Sequence, residues 1–173
     1  VQDGWLYVGG SFTHGTGGST SQERYMRAGG RLSVTDGTPD LWNPEFNGTV
    51  MAVDASPRGD RAYIAGSCRQ SRGRDADKAA ALSSTSTALF TWNVLFSNRT
   101  GGRAGYQQAV KEVGDRVWLG GAEHSLFSYS RDDFSVLSTT IGNAGGDFQA
   151  IAEYNGVVYG GCHCFETQYE GET

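Results

Sequence analysis

Apolar residues in this chain fall in short runs that close on glycine. Four segments share one arrangement: Asp3-Gly4-Trp5-Leu6-Tyr7-Val8-Gly9-Gly10, Gly59-Asp60-Arg61-Ala62-Tyr63-Ile64-Ala65-Gly66, Gly114-Asp115-Arg116-Val117-Trp118-Leu119-Gly120-Gly121 and Asn155-Gly156-Val157-Val158-Tyr159-Gly160-Gly161. A turn pair opens each, an apolar run follows and small residues end it. Asp-Gly, Gly-Asp and Asn-Gly tolerate positive φ and predict two-residue hairpin loops. The runs are expected to be buried on both faces. Their glycine ends permit close backbone approach, which a crowded inner strand requires.

A second pattern lies between these segments. It runs from Leu32 to Pro44, from Leu82 to Asn93 and from Leu126 to Leu137. Each copy reads as a strand, a polar turn and another strand, with Trp42, Trp92 and Leu137 taken as equivalent. A third element, Val50-Met51-Ala52-Val53, Gln108-Ala109-Val110 or Phe148-Gln149-Ala150-Ile151-Ala152, precedes the next turn pair. Four short antiparallel strands in ~40–55 residues match the size of a propeller blade. The expected fold is therefore all-β, a β-propeller fragment of about three four-stranded blades plus the start of a fourth. The units run over residues 1–58, 59–113, 114–154 and 155–173. An open fan has bare edge strands, so further blades, from the same or another chain, are expected to complete it.

The stretches Leu6-Tyr7-Val8-Gly9-Gly10-Ser11-Phe12, Leu32 to Pro44 and Gly48 to Gly66 resemble the β-propeller repeats, also called delta-60 repeats, of bacterial secreted and cell-surface proteins. The resemblance extends over nearly the whole chain and implies a secreted or surface location. Two departures stand out. The third unit lacks the tryptophan and the Asn-Pro that follows it, and the fourth runs into Cys162-His163-Cys164.

Composition narrows the function classes. Glycine numbers 26 of 173 residues, about double the usual ~7%. With 12% aromatic residues, this argues for short strands and tight turns rather than disorder. The net charge is −5, which disfavours a nucleic-acid partner. No apolar run approaches the ~20 residues of a membrane-spanning helix. The chain opens without Met and already reads as the approach to a strand, so its N-terminus is expected to be internal to a longer precursor.

Unit lengths differ mainly after the glycine ends, where residues 11–28 and 67–79 form insertions. A smaller one covers 97–105. Loops on one side of a rigid scaffold are where binding concentrates. The candidate recognition residues are His14, Arg24, Tyr25 and Arg27 in the first insertion and Arg69, Arg72 and Arg74 in the second. The bland alternative is tolerated surface insertion with solvated charges.

Other chemistry is weaker. His14, His124 and His163 each follow a glycine end, but no C-x-x-C or H-x-x-x-H spacing supports a metal site. Cys68, Cys162 and Cys164 are disulfide candidates, with pairing to Cys68 or to a cysteine outside this sequence favoured over metal binding. Asp36 to Asp40 and Arg131-Asp132-Asp133 read as turns rather than calcium loops. Asp54, Glu112, Glu123 and Glu153 are carboxylates of the kind a glycoside hydrolase needs, yet Glu112 and Glu153 precede turn pairs, as the repetition itself dictates. Trp42 and Trp92 are expected in the core. Asn47-Gly48-Thr49 and Asn98-Arg99-Thr100 fit the glycosylation acceptor pattern. The expected function is a non-enzymatic binding or scaffold module for a glycan, peptide or protein, without cofactor. The rivals are a non-catalytic part of a propeller-based polysaccharide hydrolase or lyase, and a purely structural spacer.

Overall fold

The computed structural model describes residues 1–96, 105–142 and 145–170. Asn98 and the 97–104 part of the small insertion lie outside the described residues. Among the described residues all regular structure is β, in small antiparallel sheets. The chain divides into two compact units, Val1–Phe90 and Thr91–Thr173.

In the first unit, β1 (Trp5–Gly9) is followed by an arm of two strands, β2 (His14–Gly17) and β3 (Thr20–Tyr25). The chain then returns as β4 (Gly29–Ser33) to pair with β1. The design recurs with β5 (Val50–Ala55) and β6 (Arg61–Gly66), an arm of β7 (Gln70–Ser71) and β8 (Arg74–Asp75), and β9 (Ala79–Ser83) returning to β6. Beyond β4 and β9 the outer element is only a bridge, Leu32 to Pro39 and Leu82 to Leu89.

The second unit carries the four-stranded meander β10 (Gln107–Val113), β11 (Arg116–Gly121), β12 (Ser125–Ser130) and β13 (Val136–Gly142). The hairpin β14 (Phe148–Tyr154) and β15 (Val157–Cys162) follows, and β16 (Thr167–Tyr169) closes the outer edge of β13.

Among the described residues one turn geometry occurs three times. Ser33, Ser83 and Ser130 each accept at their carbonyl from the amide four residues on and donate their own amide to the carbonyl five residues on. Their hydroxyls accept the amides of Thr35, Thr85 and Asp132. Asp36 and Asp133 accept the amides of Thr38 and Ser135, which holds both carboxyls below the usual range. The left-handed position is filled by Gly37, Thr87 and Phe134. These residues are turn formers, as their sequence implied.

The hairpin loops follow the sequence with one exception. Gly114-Asp115 and Asn155-Gly156 are two-residue loops, Val113 pairing Arg116 and Tyr154 pairing Val157. Gly59-Asp60 instead ends a longer loop. Pro57 seeds a turn in which the Gly59 amide meets the Ser56 carbonyl at 2.9 Å, and Gly59 takes φ of 75°. Proline preset at the second turn position and glycine after it explain the extra length.

The register revises two alignments. A bulge in each hairpin sets Val50 opposite Gly66, Gln107 opposite Gly121 and Phe148 opposite Cys162. Cys162, not Gly161, is therefore the counterpart of Gly66 and Gly121. Likewise Tyr129 pairs with Val136 as Leu32 meets Pro39, so Thr139 rather than Leu137 stands where Trp42 and Trp92 stand.

Burial of the glycine-ended runs is uneven. From Ala62 to Gly66 every residue of β6 is buried, and β11 is largely buried. In β1 and β15 most residues keep some exposure, with Leu6, Val157 and Tyr159 exposed. The glycine ends also differ in what covers them, and not in step with the burial of their strands. The Cβ that Gly9 lacks would collide with Val50 and come within 3.0 Å of Val53, and the one Gly120 lacks would meet Phe148 at 2.9 Å. The Cβ of Gly161 would reach only Ala150 of its own hairpin, at 3.4 Å.

The first core gathers Tyr7, Trp42, Phe46, Val50, Ile64 and Leu82. Fully burying a side chain such as Phe46 contributes about 1.5–3 kcal/mol. Trp42 is core, as expected, and its Nε1 donates to the Ser83 carbonyl at 2.9 Å. Trp92, half-buried, stacks on Phe134 at 4.9 Å and meets Tyr129 edge-on at 5.2 Å.

Candidate binding site

The two arms of the first unit are positioned by asparagine side chains. Asn43, buried beside Pro44, accepts the Arg27 amide at 3.1 Å and so fixes the end of the first arm. Asn47 accepts the amides of Arg69 and Gln70 at 2.8 and 2.9 Å and fixes the start of the second. A short branched amide that reaches backbone donors nearby is what asparagine supplies in turns. The second arm then folds against the Asn43-to-Phe46 segment. Ser71 donates to the Pro44 carbonyl at 2.6 Å, Arg72 Nε donates to the Asn43 carbonyl at 3.1 Å, and Arg72 pairs with Glu45 at 3.1 Å.

This docking opens a polar cleft of about 260 Å3 lined by Arg31, Asp40, Leu41, Trp42, Asn43, Arg72 and the Thr85–Thr87 turn. A second hollow of about 190 Å3 shares Arg72, Ser86 and Thr87 with it and adds Arg74, Ser71 and Leu89. Arg31 forms the floor. Its Nε meets Asp40 at 2.6 Å and its Nη1 reaches Tyr7 Oη at 3.1 Å and the Ser84 carbonyl at 2.7 Å. The guanidinium also lies 4.5 Å from the Trp5 ring centroid. Charge-assisted bonds and cation–π contact make Arg31 a rigid wall. Arg74 is exposed and lines the second hollow with Ser86 and Thr87, and Thr85 lines the first. Of the three guanidiniums here, Arg31 is paired with Asp40 and Arg72 with Glu45.

The other candidates separate. His14 and Tyr25 are cross-strand partners on the first arm with rings 5.5 Å apart. Arg24 and Tyr25 join Ser19, Ser21, Gln22 and Glu23 around a groove of that arm. Arg27 and Arg69 are exposed, and their structural role runs through the backbone. Sequence reasoning missed Asn43, Arg31, Asp40 and the Thr85–Thr87 turn as cleft residues. The Asn-Pro pair was a visible signal for the first. The others read as ordinary strand and turn positions.

The cysteines pair differently from expectation. Cys162 and Cys164 form a disulfide with Cα atoms 5.3 Å apart. Alternation in an extended segment puts both on one side of His163, close enough to bridge. Cys68 is a buried free thiol that donates to the Ala76 carbonyl at 3.6 Å, and burial pushes its pKa up to about 11. Among the described residues no group of three potential ligands could hold a metal. His124 lies 3.9 Å from Asp147, and His163 Nδ1 lies 3.3 Å from Gln149. The acids of the hydrolase rival have structural partners. Glu112 is buried against Arg131 at 3.0 Å, and Glu153 accepts the Gly156 amide at 2.6 Å to close the β14–β15 loop.

No family model, curated protein or solved structure matches this chain.

Proposed function

We propose that this chain is a recognition module of a secreted or surface protein, built from propeller-type blades, which binds a polar partner in the cleft beside Arg72 and Arg74. The partner class is a glycan, a peptide or a protein loop. The cleft itself carries this reading: Arg72, Ser86 and Thr87 are shared by two adjoining polar hollows whose walls are held by buried and half-buried hydrogen bonds. Sites of this kind bind well because their polar groups need little reordering. The three like turns and the bulged hairpins at matching registers support blade-type repetition. The Cys162–Cys164 disulfide supports an oxidising compartment.

The test is a screen of the chain against arrayed glycans and peptides. A partner found there is expected to lose about tenfold in affinity, roughly 1.4 kcal/mol, on Arg74→Ala and again on Ser86→Ala. Both side chains are exposed, so near-UV circular dichroism should not change. A partner whose affinity ignores both substitutions defeats the cleft as the site.

A further inference from the structure

The hairpin β14–β15 leaves a strand edge open that its counterparts close. In β1, β6 and β11 the strand that ends in small residues has an antiparallel neighbour on its far side: β4, β9 and β12. Among the described residues β15 pairs with β14 alone. The segment after β15 runs instead to β16, which hydrogen-bonds to β13. Six residues of backbone, Val157–Cys162, therefore present one edge without a ladder partner.

The face beside that edge is apolar and exposed. Register pairs Tyr154 with Val157, Ala152 with Tyr159 and Ala150 with Gly161. The five side chains, with Gly161 as the sixth position, alternate onto one face, and all six residues are exposed. Of the counterparts of Tyr159, Tyr7 and Tyr63 are buried and Trp118 is half-buried. An open edge next to an apolar face is a template for strand addition.

We propose that the β15 edge is an acceptor for an added antiparallel strand of the β9 type, small at its start and apolar in its middle. Existing registers define the fit. Gly9 lies opposite Gly29 and Ala65 opposite Ala79, so in the first unit small residue meets small residue at the glycine end, whereas Gly120 faces Leu126. With Cys162 as the counterpart of Gly66, an incoming Ala79-type residue falls opposite Gly161, an Ala81-type residue opposite Tyr159 and a Ser83-type residue opposite Val157. Alanine opposite tyrosine leaves room for the ring, as it does where Tyr63 faces Ala81. The occupant is thus a strand of the kind that β9 already supplies to β6. The site is distinct from the arginine cleft, and either proposal can fail alone.

The probe is a synthetic peptide of residues 79–90 added to the whole chain at about 1 mM, with amide hydrogen exchange as the readout. Exchange within Val157–Cys162 is expected to slow about tenfold. The same peptide with Leu82→Pro, which removes a central amide, is expected to give no protection. Equal protection by both peptides overturns the proposal, as does no protection by either. Protection in the chain alone also overturns it. If that protection grows with protein concentration, the occupant is a second copy; if it does not, the edge is already closed.

Discussion

Single residues in this chain owe their roles to what they touch, and residue type alone is a poor guide. Of the seven arginine, histidine and tyrosine positions that the insertions nominate, Arg72 and Arg74 reach the cleft, whereas Arg27 and Arg69 are placed by asparagine bonds to their amides. The buried titratable groups give a sharper test. Burial raises Tyr129 to about 12 and Cys68 to about 11. Both are acids that are neutral when protonated, and folding favours that form. Their contribution is fully present below the ordinary values, 10.0 and 9.0, and is lost as pH rises through the folded values. At one pKa unit per 1.36 kcal/mol, each is worth roughly 3 kcal/mol at most. Thermal midpoints measured from pH 8 to 12 should fall steeply above pH 9. Cys68→Ala should remove the earlier part of that fall and Tyr129→Phe the later part. Unchanged slopes in both variants would show that neither group is shielded from water.

At the scale of elements, the hairpins were legible and their exact registers were not. Turn pairs and apolar runs placed β1, β6, β11 and β15 because positive-φ loops and alternation are local signals. The equivalence of Cys162 with Gly66 was hidden, since a bulge adds a residue that only cross-strand pairing reveals. The same holds for Thr139, where counting along the chain selected Leu137. The arms were read as loops because two to six residues of polar sequence carry no hydrophobic period; it is Asn43 and Asn47 that order their bases. What covers each glycine end was likewise invisible, and it can be tested by substitution. Gly120→Val places branched carbon where Phe148 already stands and should cost about 1–3 kcal/mol by overpacking. Gly161→Val, at the matching register but facing solvent, should change stability by less than ~0.5 kcal/mol. Urea midpoints at constant slope would report both. Equal losses would mean that Phe148 yields to the new side chain or that Gly161 is covered.

Over the whole molecule, the strands differ in how many neighbours they have, and local stability should follow. β6 lies between β5 and β9 and is buried from Ala62 to Gly66. β11 and β12 are interior strands of the five-stranded sheet, and β12 is buried from Ser125 to Tyr129. Opening any of these exposes apolar surface on two sides and breaks two ladders. Among the described residues β15 has one ladder and an exposed apolar face, so it can open at little cost, and β1 has β4 alone as a ladder partner. Native-state hydrogen exchange samples such openings, with free energies from near zero to the global value. The slowest amides should therefore lie in β6, β11 and β12, and those of β1 and β15 should exchange at least about tenfold faster. The argument depends on each hairpin being stabilised by what lies beside it rather than by its own sequence, since the four glycine-ended runs are nearly alike in composition. A uniform exchange rate across β6, β11 and β15 would mean that intrinsic strand propensity outweighs neighbour packing. In that case the exposed face of β15 would lose its standing as an incomplete surface.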